Sequence, residues 1–219
     1  MQFNFDLVVN SFPLLLVGAG VTIKITALSV ALGVVIGLFV GIARISRIKI
    51  LRVLAAIYVD FFRGTPLLVQ IFLVYFALPV ITGQRVDPFV AAIGSCGINS
   101  GAYVAEIFRA GIQSIDKGQM EAGRSLGMTW VQTMRYIIVP QAFKRVIPPL
   151  GNETITLLKD TSLVYILAMN DLMRVTRAFV QRDFDTMPFL VAAVFYLVCT
   201  AILTKILTYV EKRYAVYEE

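Results

Sequence analysis

Five runs of mostly apolar residues divide this chain, and each approaches the roughly 20 residues that a helix needs to cross a membrane. They extend from Pro13 to Ala43, Leu54 to Gly83, Phe89 to Phe108, Val146 to Met169 and Met187 to Thr204. The first run is uncharged from Ile25 onward, and the fifth carries no charge at all. The second and fourth contain charged residues and prolines. The pattern predicts an all-α polytopic membrane helix bundle, with about five transmembrane helices in one domain over residues 1–219.

The polar segment between the third and fourth runs, residues 116–140, carries signals that start and stop helices. Two pairs have the spacing of a capping box: Asp116 with Gln119, and Thr129 with Gln132. Gly127 lies between them, where a left-handed residue would end the first helix. Two start signals and a stop predict two short helices here. We call residues 116–140 the docking loop, because a simple connector between spans needs no such structure.

The distribution of Lys and Arg predicts how the bundle is oriented in the membrane. With the N-terminus outside, thirteen of the 20 Lys and Arg fall on the inner side and five on the outer side. Positive charges concentrate on the cytoplasmic side of membrane proteins. We therefore expect the docking loop and the C-terminus to face the cytoplasm and residues 170–186 to face out.

Composition agrees with a membrane protein and excludes several functions. The chain is 58% hydrophobic and only 16% charged, with a mean hydropathy of +0.79, well beyond the usual composition of a soluble domain. It has no His, and both Cys lie in apolar runs, so we expect no metal site and no cofactor. The net charge of +6 includes no dense basic run, so we expect no nucleic-acid partner.

The docking loop contains a motif with fixed spacing. Glu121-Ala122-Gly123 is followed after three residues by Gly127, and after nine more by Ile137 and then Pro140. This pattern resembles the EAA signature of the permease subunits of bacterial ABC importers: E-A-A, three residues, Gly, nine residues, I-x-L-P. Gly123 replaces the second Ala of that signature, and Val139 replaces its Leu.

Segments within the apolar runs narrow the resemblance to the polar and basic amino-acid permeases, the histidine, glutamine and arginine importer branch. They are FRGTP at 62–66, INSGAY at 98–103, PPLGN at 148–152 and KDTS at 159–162. The resemblance implies a location in the bacterial cytoplasmic (inner) membrane. It also implies three kinds of protein partner: two cytoplasmic ATPase subunits, a second permease that is identical or homologous, and an extracytoplasmic substrate-binding protein. The chain has no GxxxxGK[ST] phosphate loop, so it is not expected to be the ATPase itself.

The resemblance implies a coupling helix around residues 120–126 that lies in a groove of the ATPase. The expected coupling residues are Met120, Glu121, Ala122, Gly123, Leu126 and Gly127. Glu121 would anchor the helix by a charge-assisted contact, and Gly127 would turn the chain back toward the membrane. Ala122 and Gly123 are small, which favours close approach of a partner.

Ionisable and polar groups inside the apolar runs are candidates for a substrate site, because such groups are costly in a membrane. Glu153 and Asp160 are seven residues apart, so on a helix they share a face about 10 Å apart, which suits a cationic amino acid such as arginine, lysine or histidine. Ser95, Asn99 and Tyr103 form a polar stripe at i, i+4 and i+8. The expected substrate-binding residues are Ser95, Asn99, Tyr103, Glu153, Asp160 and Ser162.

Structural roles compete with these assignments. Glu153 and Asp160 could instead pair with resident cations and fix the bundle; the candidates are Lys159, Arg63 and Lys144. Asp60 lies three residues before Arg63, so the two are predicted to form an ion pair. Gly33, Gly37 and Gly41 form a small-residue ladder, which would pack against a second permease or against another helix of this chain.

Three alternative functions follow from the same residues. A glutamine or glutamate permease of the same class would use the same architecture. A stand-alone ion-coupled transporter or channel would use Glu153 and Asp160 as a cation site but would need no docking loop. A membrane-embedded enzyme would need catalytic His or clustered acids, and the sequence has neither.

Overall fold

The computed structural model describes residues 5–214, and helix runs through nearly all of them. The α-helices are α1 (Phe5–Ile45), α2 (Lys49–Gly64), α3 (Leu67–Phe72), α4 (Leu78–Thr82), α5 (Pro88–Gln113), α6 (Lys117–Ser125), α7 (Trp130–Thr133), α8 (Val139–Asp160), α9 (Leu172–Asp183) and α10 (Met187–Tyr214). A π-helical turn at Leu73–Ala77 joins α3 to α4, another at Met134–Ile138 joins α7 to α8, and a 3₁₀ helix at Thr161–Leu167 extends α8. Within the described residues, the all-α class is confirmed.

Two helices are long and apolar enough to cross a membrane by themselves: Ser11–Ile45 within α1, and α10. Lys49–Gly64 and Leu67–Thr82 together make a third if a pair bent by 104° counts as one span. α5 and α8 occupy the third and fourth predicted spans but mix polar groups with apolar ones. The count of five spans and the orientation therefore stay predictions.

The second predicted span, Leu54–Gly83, is wrong as one continuous helix. The backbone is extended at Thr65 and Pro66, between α2 and α3. Proline lacks the N–H that continues a helix, and its ring pushes the preceding residue out of the helical region. We call residues 64–66 the break. It turns the chain by 104°.

Each π-helical turn ends two residues before a proline. Val139 N–H bonds to the carbonyl of Met134, just ahead of Pro140, and Leu78 N–H bonds to that of Leu73, just ahead of Pro79. A proline ring clashes with the carbonyl four residues earlier in a regular α-helix. The wider π turn makes room for the ring, so the chain remains helical through each proline.

The small-residue ladder of α1 packs against α5 of the same chain. The contacts pair Gly33 with Ser100, Gly37 with Val104 and Gly41 with Phe108. A Cβ atom at Gly37 would lie only 2.4 Å from Cγ1 of Val104, so the two helices approach too closely for any side chain there. The own-chain alternative for the ladder is thus the correct one.

The largest hydrophobic core lies where α1, α3, α5, α8 and the 3₁₀ helix meet. Its fully buried side chains include Ile25, Ile71, Cys96, Leu157 and Leu167. In contrast, only Pro188 and Ala192 are buried along α10. More than half of the residues of that helix are exposed.

A buried carboxylate caps α9 at its N-terminus, and the next residue bonds that end of the helix to α1. Asp171 is fully buried, and its Oδ2 accepts hydrogen bonds from the N–H groups of Met173 at 3.0 Å and Arg174 at 3.3 Å. Next to it, Leu172 N–H donates to Oγ1 of Thr22 in α1 at 3.2 Å. Burial raises the pKa of Asp171 to about 6, although the two backbone bonds oppose that rise.

Candidate functional site

α6, the first helix of the docking loop, is closed at both ends. At its start, the Asp116 carboxylate accepts from Gly118 N–H at 2.6 Å. The predicted capping box is not formed there, because the Gln119 side chain instead accepts from Gln141 in α8 at 3.4 Å. Asp116 alone therefore caps the helix.

At its end, α6 has the left-handed stop that the sequence predicts. Gly127 has φ +82°. Its N–H bonds to the Arg124 carbonyl at 3.0 Å, and Met128 N–H bonds to the Gly123 carbonyl at 3.1 Å. This pair of bonds is a Schellman motif, which satisfies carbonyls that a helix end leaves free.

The second predicted capping box is confirmed. Oγ1 of Thr129 accepts from Gln132 N–H at 3.3 Å, and Oε1 of Gln132 accepts from Thr129 N–H at 2.8 Å. The chain then passes through α7 and the π turn into α8. The docking loop is thus two helical segments folded against each other.

The inner face of the docking loop rests on a small core of its own. Ile115, Met134 and Ile138 are buried in it, and Met120 packs against them. Gly123 is also buried, and a Cβ there would lie 2.7 Å from Thr133 Cγ2. The expectation that Gly123 allows close approach of a partner is therefore wrong, because its small size serves contact with the chain's own Thr133.

The outer face of the docking loop combines apolar side chains with charged ones. The exposed members of the predicted coupling set are Glu121, Ala122, Leu126 and Gly127. Leu126 is 81% exposed. Three further large apolar side chains lie exposed on the same segment: Val131, Tyr136 and Val139. Apolar groups grouped in this way mark interaction surfaces.

The second candidate site lies where α2, α5 and α8 meet, within residues 95–103 of α5. The members of the predicted polar stripe differ in their hydrogen bonding. Ser95 is buried, and within the described chain its hydroxyl has no hydrogen-bond partner. The Asn99 amide nitrogen donates to the Phe62 carbonyl at 3.1 Å and to Oε1 of Gln70 at 2.9 Å. Both amide hydrogens of Asn99 are thereby used within the chain.

Tyr103, the third member of the stripe, lies under a cation. The Arg63 guanidinium carbon is 5.3 Å from the centre of its ring, a cation–π distance. The predicted ion pair between Arg63 and Asp60 is wrong, since no such pair exists in the part of the chain that the structure describes. The aromatic ring has taken the place of the carboxylate.

Glu153 reaches from α8 to α5. Its Oε1 accepts a hydrogen bond from Oγ of Ser100 at 2.8 Å, and the side chain is half-buried. Across residues 5–214, neither Arg63 nor Lys159 forms an ion pair with it. Sequence reasoning missed Ser100, because the stripe at i, i+4 and i+8 passes through its neighbour Asn99. Its place inside the INSGAY segment was the available signal.

Asp160 and Ser162, the two remaining predicted substrate-binding residues, follow Glu153 along the chain. Asp160 is the last residue of α8, half-buried, and makes no ion pair with Lys159 in the described range. Ser162 lines an open cavity of about 480 Å³ together with Tyr165 and Arg177. That lining includes neither Glu153 nor Asp160, so the structure does not bring Ser162 into one site with them.

A cavity of about 420 Å³ opens beside Tyr103, between α2, α5 and α8. Its wall carries two guanidinium groups, from Arg63 and Arg145. Glu106 also lines it, but that carboxylate is already bonded to Arg109 and, at 3.3 Å, to Arg44. The cavity is therefore a basic one and is suited to a carboxylate.

Comparison with known proteins places these features in a wider context. The family model described as "Binding-protein-dependent transport system inner membrane component" matches residues 33–216. The glutamine transport system permease protein GlnP of Escherichia coli K12 is 42% identical over 215 residues, covering 97% of this chain and 98% of that protein. The arginine transport system permease protein ArtQ of Bacillus subtilis is 37% identical over 214 residues, covering 97% and 98%.

A solved structure resembles the whole fold. A chain of the crystal structure of an amino acid ABC transporter with histidines superposes with a TM-score of 0.92 at 41% identity. The match covers 97% of this chain and 100% of that one. Sequence and fold thus agree over nearly the full length.

Proposed function

This chain belongs to the family of binding-protein-dependent transport system inner membrane components, and from that premise we propose that it forms the translocation pathway of a bacterial amino-acid importer. It is an inner-membrane permease subunit. In the proposed assembly, a second permease completes the pathway, two cytoplasmic ATPase subunits supply the energy, and an extracytoplasmic binding protein delivers the amino acid.

We propose that the ATPase binds the outer face of the docking loop. Glu121 and Leu126 are exposed on it, and α6 is held in place from below by Met120 and Gly123. A rigid helix that presents an apolar side chain beside a carboxylate, with Lys117 and Arg124 also exposed, fits a groove that has an apolar floor and charged groups of both signs. Met120 and Gly123 then contribute to coupling by holding α6, and Ala122, Leu126 and Gly127 by contact with the partner.

For the substrate, we propose a cationic amino acid: arginine, lysine or histidine. The observation that carries this proposal is the half-buried Glu153, which is bonded to Ser100 but makes no ion pair with Arg63 or Lys159 among the described residues. An acid in a membrane helix is costly unless it meets a cation. A cationic side chain in the pathway would complete its coordination, with Asp160 further along the same helix.

Other predicted residues receive more limited roles. Tyr103 and Arg63 border the basic cavity, where we propose that the substrate carboxylate passes. Asn99 acts on the site through its neighbours rather than by donating to substrate, since its amide hydrogens are used. Ser95 would line the pathway from α5, and Ser162 would lie outside the Glu153 site, at the edge of its own cavity.

The test is reconstitution of the permease with its ATPase and its binding protein in lipid vesicles, followed by measurement of ATP hydrolysis with single amino acids. We expect arginine, lysine and histidine to stimulate hydrolysis more than glutamine or glutamate. Vesicles that respond to no amino acid would contradict the proposed function as a whole.

Glu153→Gln tests the residue itself. We expect uptake of radiolabelled arginine to fall at least about tenfold, the loss that follows when roughly 1.4 kcal/mol of a charged contact is removed. Assembly with the ATPase should be unaffected. The matched control is Asp60→Asn, which removes an exposed acid with no ion pair in the described part of α2. Equal arginine uptake by Glu153→Gln and the parent, at matched expression, would refute the assignment.

Glutamine is the second candidate, and one observation favours it: the 42% identity with a glutamine permease. A neutral amide needs no carboxylate partner, so a glutamine importer should tolerate Glu153→Gln. A glutamine maximum in the substrate screen, combined with unchanged glutamine uptake by Glu153→Gln, would decide for this candidate.

A further inference from the structure

The break between α2 and α3 leaves carbonyl groups that no helix can satisfy. The last carbonyls of a helix have no partner within it, and Pro66 brings no N–H to the break. In a membrane such groups need partners from the protein itself. The Phe61 carbonyl receives one from the Thr65 hydroxyl at 2.8 Å. The others need a donor from elsewhere.

Gln70, four residues after the break, supplies those donors. Its side-chain nitrogen lies 3.0 Å from the Phe62 carbonyl, 3.0 Å from the Thr65 carbonyl and 2.8 Å from the Thr65 hydroxyl. Gln70 is only 3% exposed, although it is a polar residue in an apolar run. One amide therefore bridges the end of α2 and the start of α3.

The other end of the same amide holds α5. Oε1 of Gln70 accepts from Asn99 at 2.9 Å, and the Asn99 amide also donates to the Phe62 carbonyl at 3.1 Å. We call Gln70, Asn99 and the Phe62 carbonyl the clasp. Every pair within it is hydrogen-bonded, so the bend between α2 and α3 is fixed relative to α5.

The clasp lies one residue from the hydrogen bond between Ser100 and Glu153 in the proposed substrate site. Ser100, which donates to Glu153, follows Asn99 directly in α5. Tyr58 of α2 donates to the carbonyl of Ile98, the residue that precedes Asn99. One residue after Phe62, Arg63 lies over Tyr103. The groups that would meet the two ends of an amino acid are thus attached to the two sides of the clasp.

We propose that Gln70 is a positioning residue for the amino-acid site. Through Asn99 and Phe62 it sets how Arg63 on α2 lies relative to α5, which carries Tyr103, Ser100 and, through Ser100, the contact with Glu153. It does not touch the substrate. This assignment rests on the proposed transport function. It predicts a change in the concentration at which substrate acts, with little change in the maximal rate.

The test uses Gln70→Met in the complex reconstituted with the ATPase and the binding protein. ATP hydrolysis is measured as a function of the concentration of the amino acid that stimulates the parent complex most. Methionine keeps the length and loses both the donor and the acceptor. We expect the half-saturating concentration to rise about three- to tenfold, which corresponds to a net loss in the substrate site equal to about one neutral hydrogen bond. The maximal rate should stay within about twofold. Gln181→Met, on the exposed face of α9, is the matched control and should change neither value.

A swap separates the clasp from any general loss of packing. In the double variant Gln70→Asn with Asn99→Gln, the combined length of the two amides is kept. We expect it to recover at least half of the loss in apparent affinity shown by Gln70→Asn alone. This second comparison remains informative if Gln70→Met does not assemble.

Each outcome bears on a different statement. If the parent complex responds to no amino acid, the transport function fails, and the clasp fails with it. If the parent responds and Gln70→Met has the same half-saturating concentration, only the clasp is wrong. A fall in maximal rate without a change in half-saturation, or a swap that recovers nothing, would also overturn the positioning role.

Discussion

The contact between α1 and α5 can be tested by adding one methyl group at Gly37. In Gly37→Ala the new Cβ would lie 2.4 Å from Cγ1 and 2.5 Å from Cβ of Val104, and 3.0 Å from the backbone nitrogen of Ala105. Attractive carbon–carbon contact begins near 3.5 Å. The overlap is therefore about 1 Å, and a β-branched side chain and backbone have little freedom to relieve it.

Two opposing effects set the size of the change. Overpacking in a well-packed core costs roughly 1–3 kcal/mol, and an overlap with backbone belongs at the upper end. Replacing Gly with Ala inside a helix returns about 1 kcal/mol. We therefore expect Gly37→Ala to lower the free energy of unfolding by about 2 kcal/mol. For a chain of 219 residues this corresponds to a fall in Tm of about 4–8 °C.

Gly94→Ala, on α5, is the matched control, because no atom lies within 4 Å of the position its Cβ would take. Gly94→Ala gains the higher helix propensity of alanine without any steric overlap. Its Tm should therefore rise by about 2–4 °C. Thermal unfolding of both purified variants in one detergent gives the comparison. Shifts of the same sign and size would refute the direct contact between α1 and α5, and with it the position of Ser100 against Gly33.

Two further predictions concern the ends of short helices. Gly127→Ala should weaken co-purification of the ATPase, because a left-handed residue with a Cβ costs about 1–2 kcal/mol. Gly127→Asn should retain most of the co-purified ATPase. Equal loss in both variants would count against the Schellman stop. The pKa of Asp171 in the folded protein, about 6, lies above that of an unfolded Asp, so the folded state binds more protons between about pH 4 and pH 6. The stability that Asp171 contributes is therefore fully present below about pH 4 and is lost as the pH rises through about 6. Over this range the Tm of the parent should fall relative to that of Asp171→Asn; a constant difference between the two would contradict the burial of this carboxylate.

The docking loop could be predicted closely because its signals are local. The capping box of Thr129 with Gln132 depends on residues three apart, and the stop at Gly127 depends on its own φ. Both were evident from the sequence alone. The burial of Gly123 was not, because it is set by Thr133, ten residues later, after the chain has folded back.

The candidate substrate site was predicted only in part, since it depends on which face of one helix meets another. The sequence indicated that α5 and α8 carry facing polar groups, and Glu153 does reach α5. It could not indicate that Ser100 rather than Asn99 meets Glu153, because the helix rotation is set by the glycine contacts with α1. Nor could it indicate Gln70, whose burial depends on a 104° turn of the chain. Apolar neighbours on both sides concealed its role.

The closed ends of α6 have a mechanical consequence. A short helix with free ends frays and absorbs a push by unwinding, but one capped by Asp116 and stopped at Gly127 is stiff. Displacement of such a helix would be transmitted whole to the support beneath it, where Met134 and Ile138 pack in the same core as Ile115. That core adjoins the ends of α5 and α8. Those two helices carry Ser100 and Glu153, so we expect a displacement at the surface to act on the ends of the helices that hold the candidate substrate site.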